Sequence, residues 1–234
     1  MSGTGTGTGT QPLPVAEDAR GADGLWCEVL SPPAQDGGFS GRAALFLDRD
    51  GVIVDEVHYL HRPAEVRVVP GAAAVIAAAN AHGVPVVVVT NQSGIGRGYY
   101  DWAAFRAVEA EIRRRLADAG AAVDLVLACP HVPPEGADTD IPGRKPHPGM
   151  LWRAGAALGL DLAGSWIVGD RPGDLGAGRR GGLAGGVLVA SGHAVTAARA
   201  AEAEALAAPD FAVRRAGSLA DLNDLPRALA AAVA

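Results

Sequence analysis

Four short apolar runs, each stopping abruptly at polar or turn-forming residues, set the rhythm of this chain. Ala43–Leu47 ends in Asp48-Arg49-Asp50-Gly51, and Val86–Val89 ends in Thr90-Asn91-Gln92-Ser93-Gly94. Val123–Ala128 runs into the loop Cys129–Pro148, which holds prolines 130, 133, 134, 142, 146 and 148, and Ser165–Val168 ends in Gly169-Asp170. Runs this short and this apolar fit strands buried on both faces of a parallel sheet. A further strand is expected over Gly186–Val189, beyond a glycine-rich turn. Pro70-Gly71 opens an alanine-rich segment in which Val75, Ile76 and Ala79 fall at helical spacing, and Gly83 stops it. Asp101 suits the N-cap of a helix over Trp102–Ala119, with Phe105, Val108, Ile112 and Leu116 as its apolar stripe and Arg113–Arg115 facing water. Met150–Leu158, Ala194–Ala208 and a last segment running to Val233, with Asp224 as cap and Pro226 in its first turn, complete the helices. Strands alternating with helices predict an α/β fold: a Rossmann-like parallel sheet with helices on both faces and a site at the strands' carboxyl ends.

Composition narrows the picture. Of 234 residues, 49% are hydrophobic and 20% charged, enough for one sizeable core, and no apolar stretch reaches the ~20 residues of a membrane span. Residues 1–40 open with alternating Gly and Thr and continue through Pro12, Pro14, Pro32, Pro33 and Gly37-Gly38, which reads as a flexible tail ahead of one domain over 41–234. Within it, Trp26 and Leu30 are the residues able to pack back on the body. Two cysteines and an N-terminus without a secretory layout make the cytoplasm the expected compartment. A net charge of -6 argues against a broad nucleic-acid surface. A monomer is expected, with no membrane partner.

The chemistry lies where the strands end. Asp48 and Asp50, at i and i+2 on an extended segment, point to one side and can address one atom. Brought together with Asp170, they would repel one another and any anionic substrate, so a working site needs a cation, and oxygen ligands favour Mg2+. Arg144-Lys145 adds a second positive component. This combination suits phosphoryl transfer.

Four segments, Asp48-Arg49-Asp50-Gly51-Val52, Thr90-Asn91-Gln92, Arg144-Lys145-Pro146 and Gly169-Asp170-Arg171-Pro172-Gly173-Asp174, resemble in order the four motifs of the haloacid dehalogenase-like (HAD-like) phosphatases. The fuller stretches Thr90–Tyr99 and Arg144–Met150 resemble the subgroup of D-glycero-D-manno-heptose bisphosphate and histidinol-phosphate phosphatases, and the likeness covers roughly Arg42 to the C-terminus. It implies a single capless domain. It also implies that Asp48 is a nucleophile forming an aspartyl-phosphate and that Asp50 is the general acid and then base. Thr90 and Lys145 would steady the transferring oxygens, and Mg2+ would be held by Asp48, the Asp50 carbonyl and Asp170. Substrate contacts are expected from Glu56, His58 and Tyr59, from Asn91, Gln92 and Ser93, and from Arg144 and Arg171, with His147 at the border. Asp174 stays open between a partner of the metal ligands and an acid at a helix N-terminus.

One part of the resemblance departs. Relatives hold a structural zinc with Cys-x-His and Cys-x-Cys, and here Cys129-Pro130-His131 matches the first pair while Ile141 and Gly143 stand at the second. Two ligands of four under-coordinate zinc, so none is expected, and the loop would instead be held by its prolines and by burial of Ile141. The resulting expectation is a Mg2+-dependent phosphatase of a small phosphorylated sugar, heptose 1,7-bisphosphate first. Its rivals are a histidinol-phosphate phosphatase, a polynucleotide 3'-phosphatase and a phosphosugar-binding protein without turnover.

Overall fold

The computed structural model describes residues 19–31, 38–133 and 141–231. Its centre is strand β2 (Ala43–Leu47), every residue of which is buried. Parallel to it on one side run β3 (Val86–Asn91) and β4 (Leu125–Cys129), and on the other β5 (Asp161–Gly169), β6 (Gly185–Val189) and β7 (Ala212–Ala216). With β1 (Trp26–Val29) the order is β1-β4-β3-β2-β5-β6-β7. Alternate residues of the central strands feed two apolar layers. Leu45, Leu47, Val86, Val88 and Val126 join one, and Phe46, Val87, Val89, Leu125 and Leu127 join the other. Helices α1 (Ala72–Ala81), α3 (Trp102–Asp118) and α7 (Leu225–Ala231) cover the first face, and α4 (Gly149–Leu158), α5 (Pro172–Gly181) and α6 (Ala197–Glu204) cover the second; α2 is the short turn Ser93–Gly96. The chain leaves β2 towards β3 and later crosses back to β5, so a crevice opens beyond the carboxyl ends of these strands.

Three elements depart from the sequence reading. The tail expected over residues 1–40 includes β1, which pairs antiparallel with β4 (Trp26 opposite Ala128), because Leu25 and Trp26 bury on opposite faces and Trp26 stacks on Trp102 at 5.4 Å between ring centroids. Residues 1–18 and 32–37 of that expectation lie outside the described residues. The glycine-rich turn before β6 contains α5, with Pro172 in its first turn. Its glycines are a packing requirement: a Cβ at Gly178 would meet Ile167 Cγ2 at 2.6 Å, and one at Gly181 would meet Leu151 Cδ1 at 2.9 Å. Strand β7 has no apolar alternation to announce it, since its arginines face outward to Asp224 and Glu204. Of the proline-rich loop, residues 134–140 lie outside the described residues, and Ile141 packs half-buried against the second layer. No helix among the described residues is long and apolar enough to cross a membrane.

Candidate active site

A polar cavity of about 260 Å³ sits in the crevice beyond β2, β3 and β5. The catalytic and metal residues and the substrate contacts expected from the sequence line it: Asp48, Asp50, Glu56, His58, Tyr59, Thr90, Asn91, Gln92, Ser93, Arg144, Lys145, Asp170 and Arg171, joined by Asp174. His147, expected at the border, is not among the lining residues. Asp48 follows β2 directly, its Oδ1 accepting from the Arg49 amide at 2.7 Å and lying 2.9 Å from Lys145 Nζ. The same ammonium reaches Asp174 Oδ1 at 2.7 Å and donates to the Val89 carbonyl at 2.8 Å. Asn91 fixes this lysine in place, since its amide donates to the Lys145 carbonyl at 3.0 Å and accepts from the Lys145 amide at 3.1 Å.

Charge is unevenly matched here. Burial, reinforced by the carboxylates of Asp174, Asp170 and Asp50, pushes Asp48 up to about 8 against the pull of Lys145. Burial also works against the Lys145 ammonium, yet Asp174 and Asp48 outweigh it and hold its pKa above the ordinary range. Of the two roles left open for Asp174, the helix N-terminal one is seen in Oδ2 accepting from the Arg171 amide at 3.0 Å at the start of α5, while Oδ1 pairs with Lys145. Asp48, Asp170 and Asp174 bring carboxylate oxygens within 4.8 Å of one another, an all-oxygen set suited to a hard divalent cation. Gly51 keeps that space clear. Its φ is +81°, and a Cβ there would lie 2.6 Å from Asp170 Oδ2.

Asp50 faces a different set of partners. Its Oδ2 accepts from Arg49 Nη2 at 2.9 Å, Arg49 Nε at 3.1 Å and Gln92 Nε2 at 2.9 Å, whereas Oδ1 receives only a shared bond from Arg49 Nε at 3.1 Å. Gln92 also donates to Thr90 Oγ1 at 2.8 Å and accepts from Arg49 Nη2 and from the Tyr100 hydroxyl, so its amide is committed within the protein although it lines the cavity. At the mouth, Tyr59 adopts φ +57° and its ring meets those of His58 and Tyr99 edge-on. Burial lowers the Arg144 pKa, and the like charges of Arg171 and Arg97 act in the same direction.

Some partners were not legible as site residues. His193, between β6 and α6, holds Asp170 Oδ2 with its backbone amide at 2.9 Å and its Nδ1 at 2.6 Å, while its Nε2 lies 2.7 Å from Arg171. Nothing in a lone histidine after Ser191-Gly192 signals this. Glu109 of α3 is buried against Arg49 at 3.0 Å, and its signal was a charged residue placed inside the stripe between Phe105 and Ile112. Cys129 is buried in the apolar layer under β4, and His131 Nε2 lies 2.8 Å from the Asp23 carbonyl oxygen.

Comparison with known proteins agrees with this geometry. A family model described as HAD-hydrolase-like matches residues 143–222. Over 189 residues the chain is 47% identical to the D-glycero-beta-D-manno-heptose-1,7-bisphosphate 7-phosphatase of Mesorhizobium japonicum, covering 80% of this chain and 82% of the relative. Among solved structures, a protein of Mesorhizobium loti described as a HAD-like phosphatase superposes with a TM-score of 0.72 at 42% identity, covering 88% of this chain and 93% of that one. The D,D-heptose 1,7-bisphosphate phosphatase of B. bronchiseptica, solved with magnesium and phosphate, superposes with a TM-score of 0.65 at 32% identity, covering 78% and 97%. With its four motifs gathered in one crevice and this identity spread over most of its length, the chain belongs to the HAD-like phosphatases, in the group that includes the D-glycero-D-manno-heptose-1,7-bisphosphate 7-phosphatases.

Proposed function

We propose that this chain removes the 7-phosphate of D-glycero-D-manno-heptose 1,7-bisphosphate through an aspartyl-phosphate at Asp48. The observation that carries the reading is the convergence of Asp48, Asp50, Thr90, Lys145 and Asp170 on one polar cavity at the strand ends. Asp48 and Asp170, with the Asp50 carbonyl, would hold Mg2+, which when bound screens the carboxylates from one another and from an incoming phosphoryl group.

The side chains divide the work. Asp48 Oδ1 is held by Arg49 and Lys145, which leaves Oδ2 as the oxygen that attacks phosphorus. As that bond forms and the bond from phosphorus to the sugar oxygen breaks, Asp50 gives its proton to the departing oxygen. The three donors on Oδ2 make Oδ1 the proton-bearing atom. Asp50 then takes a proton from the attacking water, the bond between phosphorus and Asp48 breaks, and inorganic phosphate leaves. The Thr90 hydroxyl accepts from Gln92, so its own hydrogen is available to a phosphoryl oxygen, and Lys145 supplies a fixed positive charge beside it. Arg144 and Arg171 at the rim suit the second phosphate of a bisphosphate.

We place no zinc in this protein. Cys129 and His131 offer two of the four ligands a closed zinc site takes, and Ile141 and Gly143 stand where the other two would be. Phosphate release from heptose bisphosphate, histidinol phosphate and a 3'-phosphorylated oligonucleotide, compared by kcat/KM, tests the assignment. The sugar bisphosphate should lead, Asp48→Asn and EDTA should each abolish turnover, and preference for either of the other esters would overturn it. Metal analysis of protein purified without added metal should find less than stoichiometric zinc.

A further inference from the structure

We infer that Glu109, on a helix that carries none of the four motifs, is a positioning residue that sets the orientation of Asp50 through Arg49. This rests on Asp50 being the general acid of the reaction proposed above. Arg49 is 1% exposed and its guanidinium is gripped on two sides. Nε and Nη2 hold Asp50, and Nη1 lies 3.0 Å from Glu109 Oε1. The Phe105 ring supports the same group at 5.5 Å. Phe105 and Glu109 are one turn apart on α3, whose start is fixed by Asp101 accepting from the Ala104 amide at 2.8 Å, so one helix face presents both an aromatic floor and a carboxylate anchor.

The consequence is directional. A guanidinium is a rigid planar fork, so pinning Nη1 fixes where Nε and Nη2 point. Those two groups, with Gln92, occupy Asp50 Oδ2 and turn Oδ1 towards the cavity. Gln92 is oriented in turn by Arg49 and by the Tyr100 hydroxyl, so that its amide nitrogen and not its oxygen faces Asp50. Without the anchor at Glu109 the fork can swing, and the oxygen that must reach the leaving group is no longer the one presented.

The geometry makes a selective prediction, because protonating the leaving oxygen matters for a sugar alkoxide and little for p-nitrophenolate, which departs without help. Glu109→Gln keeps reach and acceptor while removing charge, and Glu109→Asp keeps charge while shortening the reach. On the sugar phosphate, Glu109→Asp should lower kcat by about 10–100-fold with KM little changed, and Glu109→Gln should stay within about threefold of wild type. Asp50 also serves as base in the later hydrolysis of the aspartyl-phosphate, which both esters share, so the comparison is made on leaving-group release in the first turnover. There the sugar should slow by the same factor, and p-nitrophenolate should stay within about twofold of wild type in both variants. Equal first-turnover losses on the two esters, an Asp variant as fast as wild type, or a Gln variant slower than the Asp variant would each overturn the proposal. Loss of the folded circular-dichroism signal in Glu109→Asp would assign Glu109 to the core and overturn it too. Wild-type turnover of both esters and its abolition in Asp48→Asn check the underlying reaction separately, so failure there is recognised as failure of that reading.

Discussion

Replacing Asp48 with Asn should make the metal-free protein more stable at neutral pH while abolishing turnover. Burial and three nearby carboxylates push Asp48 from an ordinary value of 3.8 up to about 8. A carboxyl with a raised folded-state pKa gives stability that is complete below the unfolded value and lost as pH rises through the folded one. Between pH 3.8 and 7.5 that loss has a ceiling of about 5 kcal/mol, at about 1.36 kcal/mol for each pH unit. Asn removes the penalty because it copies the protonated acid and its oxygen can still accept from Lys145. Part of the gain is offset because the amide carries two hydrogens where the protonated acid carries one, so its copy of the acid in this buried site is imperfect. A net gain of about 2–4 kcal/mol at pH 7.5 remains, or about 5–15 °C in Tm for a chain of this size. Urea unfolding in EDTA at pH 5 and pH 7.5 measures it. The difference should nearly vanish at pH 5, and added Mg2+ should stabilise wild type and narrow the gap at pH 7.5. A variant less stable than wild type at pH 7.5, or a difference indifferent to pH, would refute the claim that these carboxylates repel in the folded state.

Three further substitutions probe neighbouring features. Gly51→Ala places a methyl against Asp170 Oδ2 on a backbone with φ +81° and should cost about 1–3 kcal/mol while raising the Mg2+ concentration for half-maximal phosphate release by about tenfold or more. Asn91→Ala frees the Lys145 backbone and should lower kcat by about 10–100-fold in steady-state assays while leaving the urea midpoint within about 0.5 M. Trp26→Ala empties a fully buried site beneath Trp102 and Phe105, should cost about 3–5 kcal/mol in urea unfolding, and should leave kcat unchanged at temperatures where the protein stays folded.

The central strands and their acids were legible because the same feature marks both: an apolar run too hydrophobic for a water-facing sheet, broken by Asp or Thr. That pattern is strong at Leu47-Asp48 and Val89-Thr90, where the strand end is also the site. It fails for α5, whose four glycines lower helix propensity while answering to contacts with Ile167 and Leu151 that only the folded sheet supplies. Strands β1 and β7 are edges, half covered and short of alternation, so tertiary pairing decides them. The motif residues of the cavity came from ordered segments, whereas His193 and Glu109 are single residues whose roles exist only through distant partners, Asp170 and Arg49.

The antiparallel seat of β1 has a practical consequence for anyone shortening this protein. A version starting near Arg42, where the likeness to the phosphatases begins, would strip the outer rim from β4 and leave the amide and carbonyl groups on that side, away from β3, without protein partners. Two such molecules would tend to zip together along Leu125–Cys129, so a shortened enzyme should run as a dimer or aggregate even with every cavity residue intact.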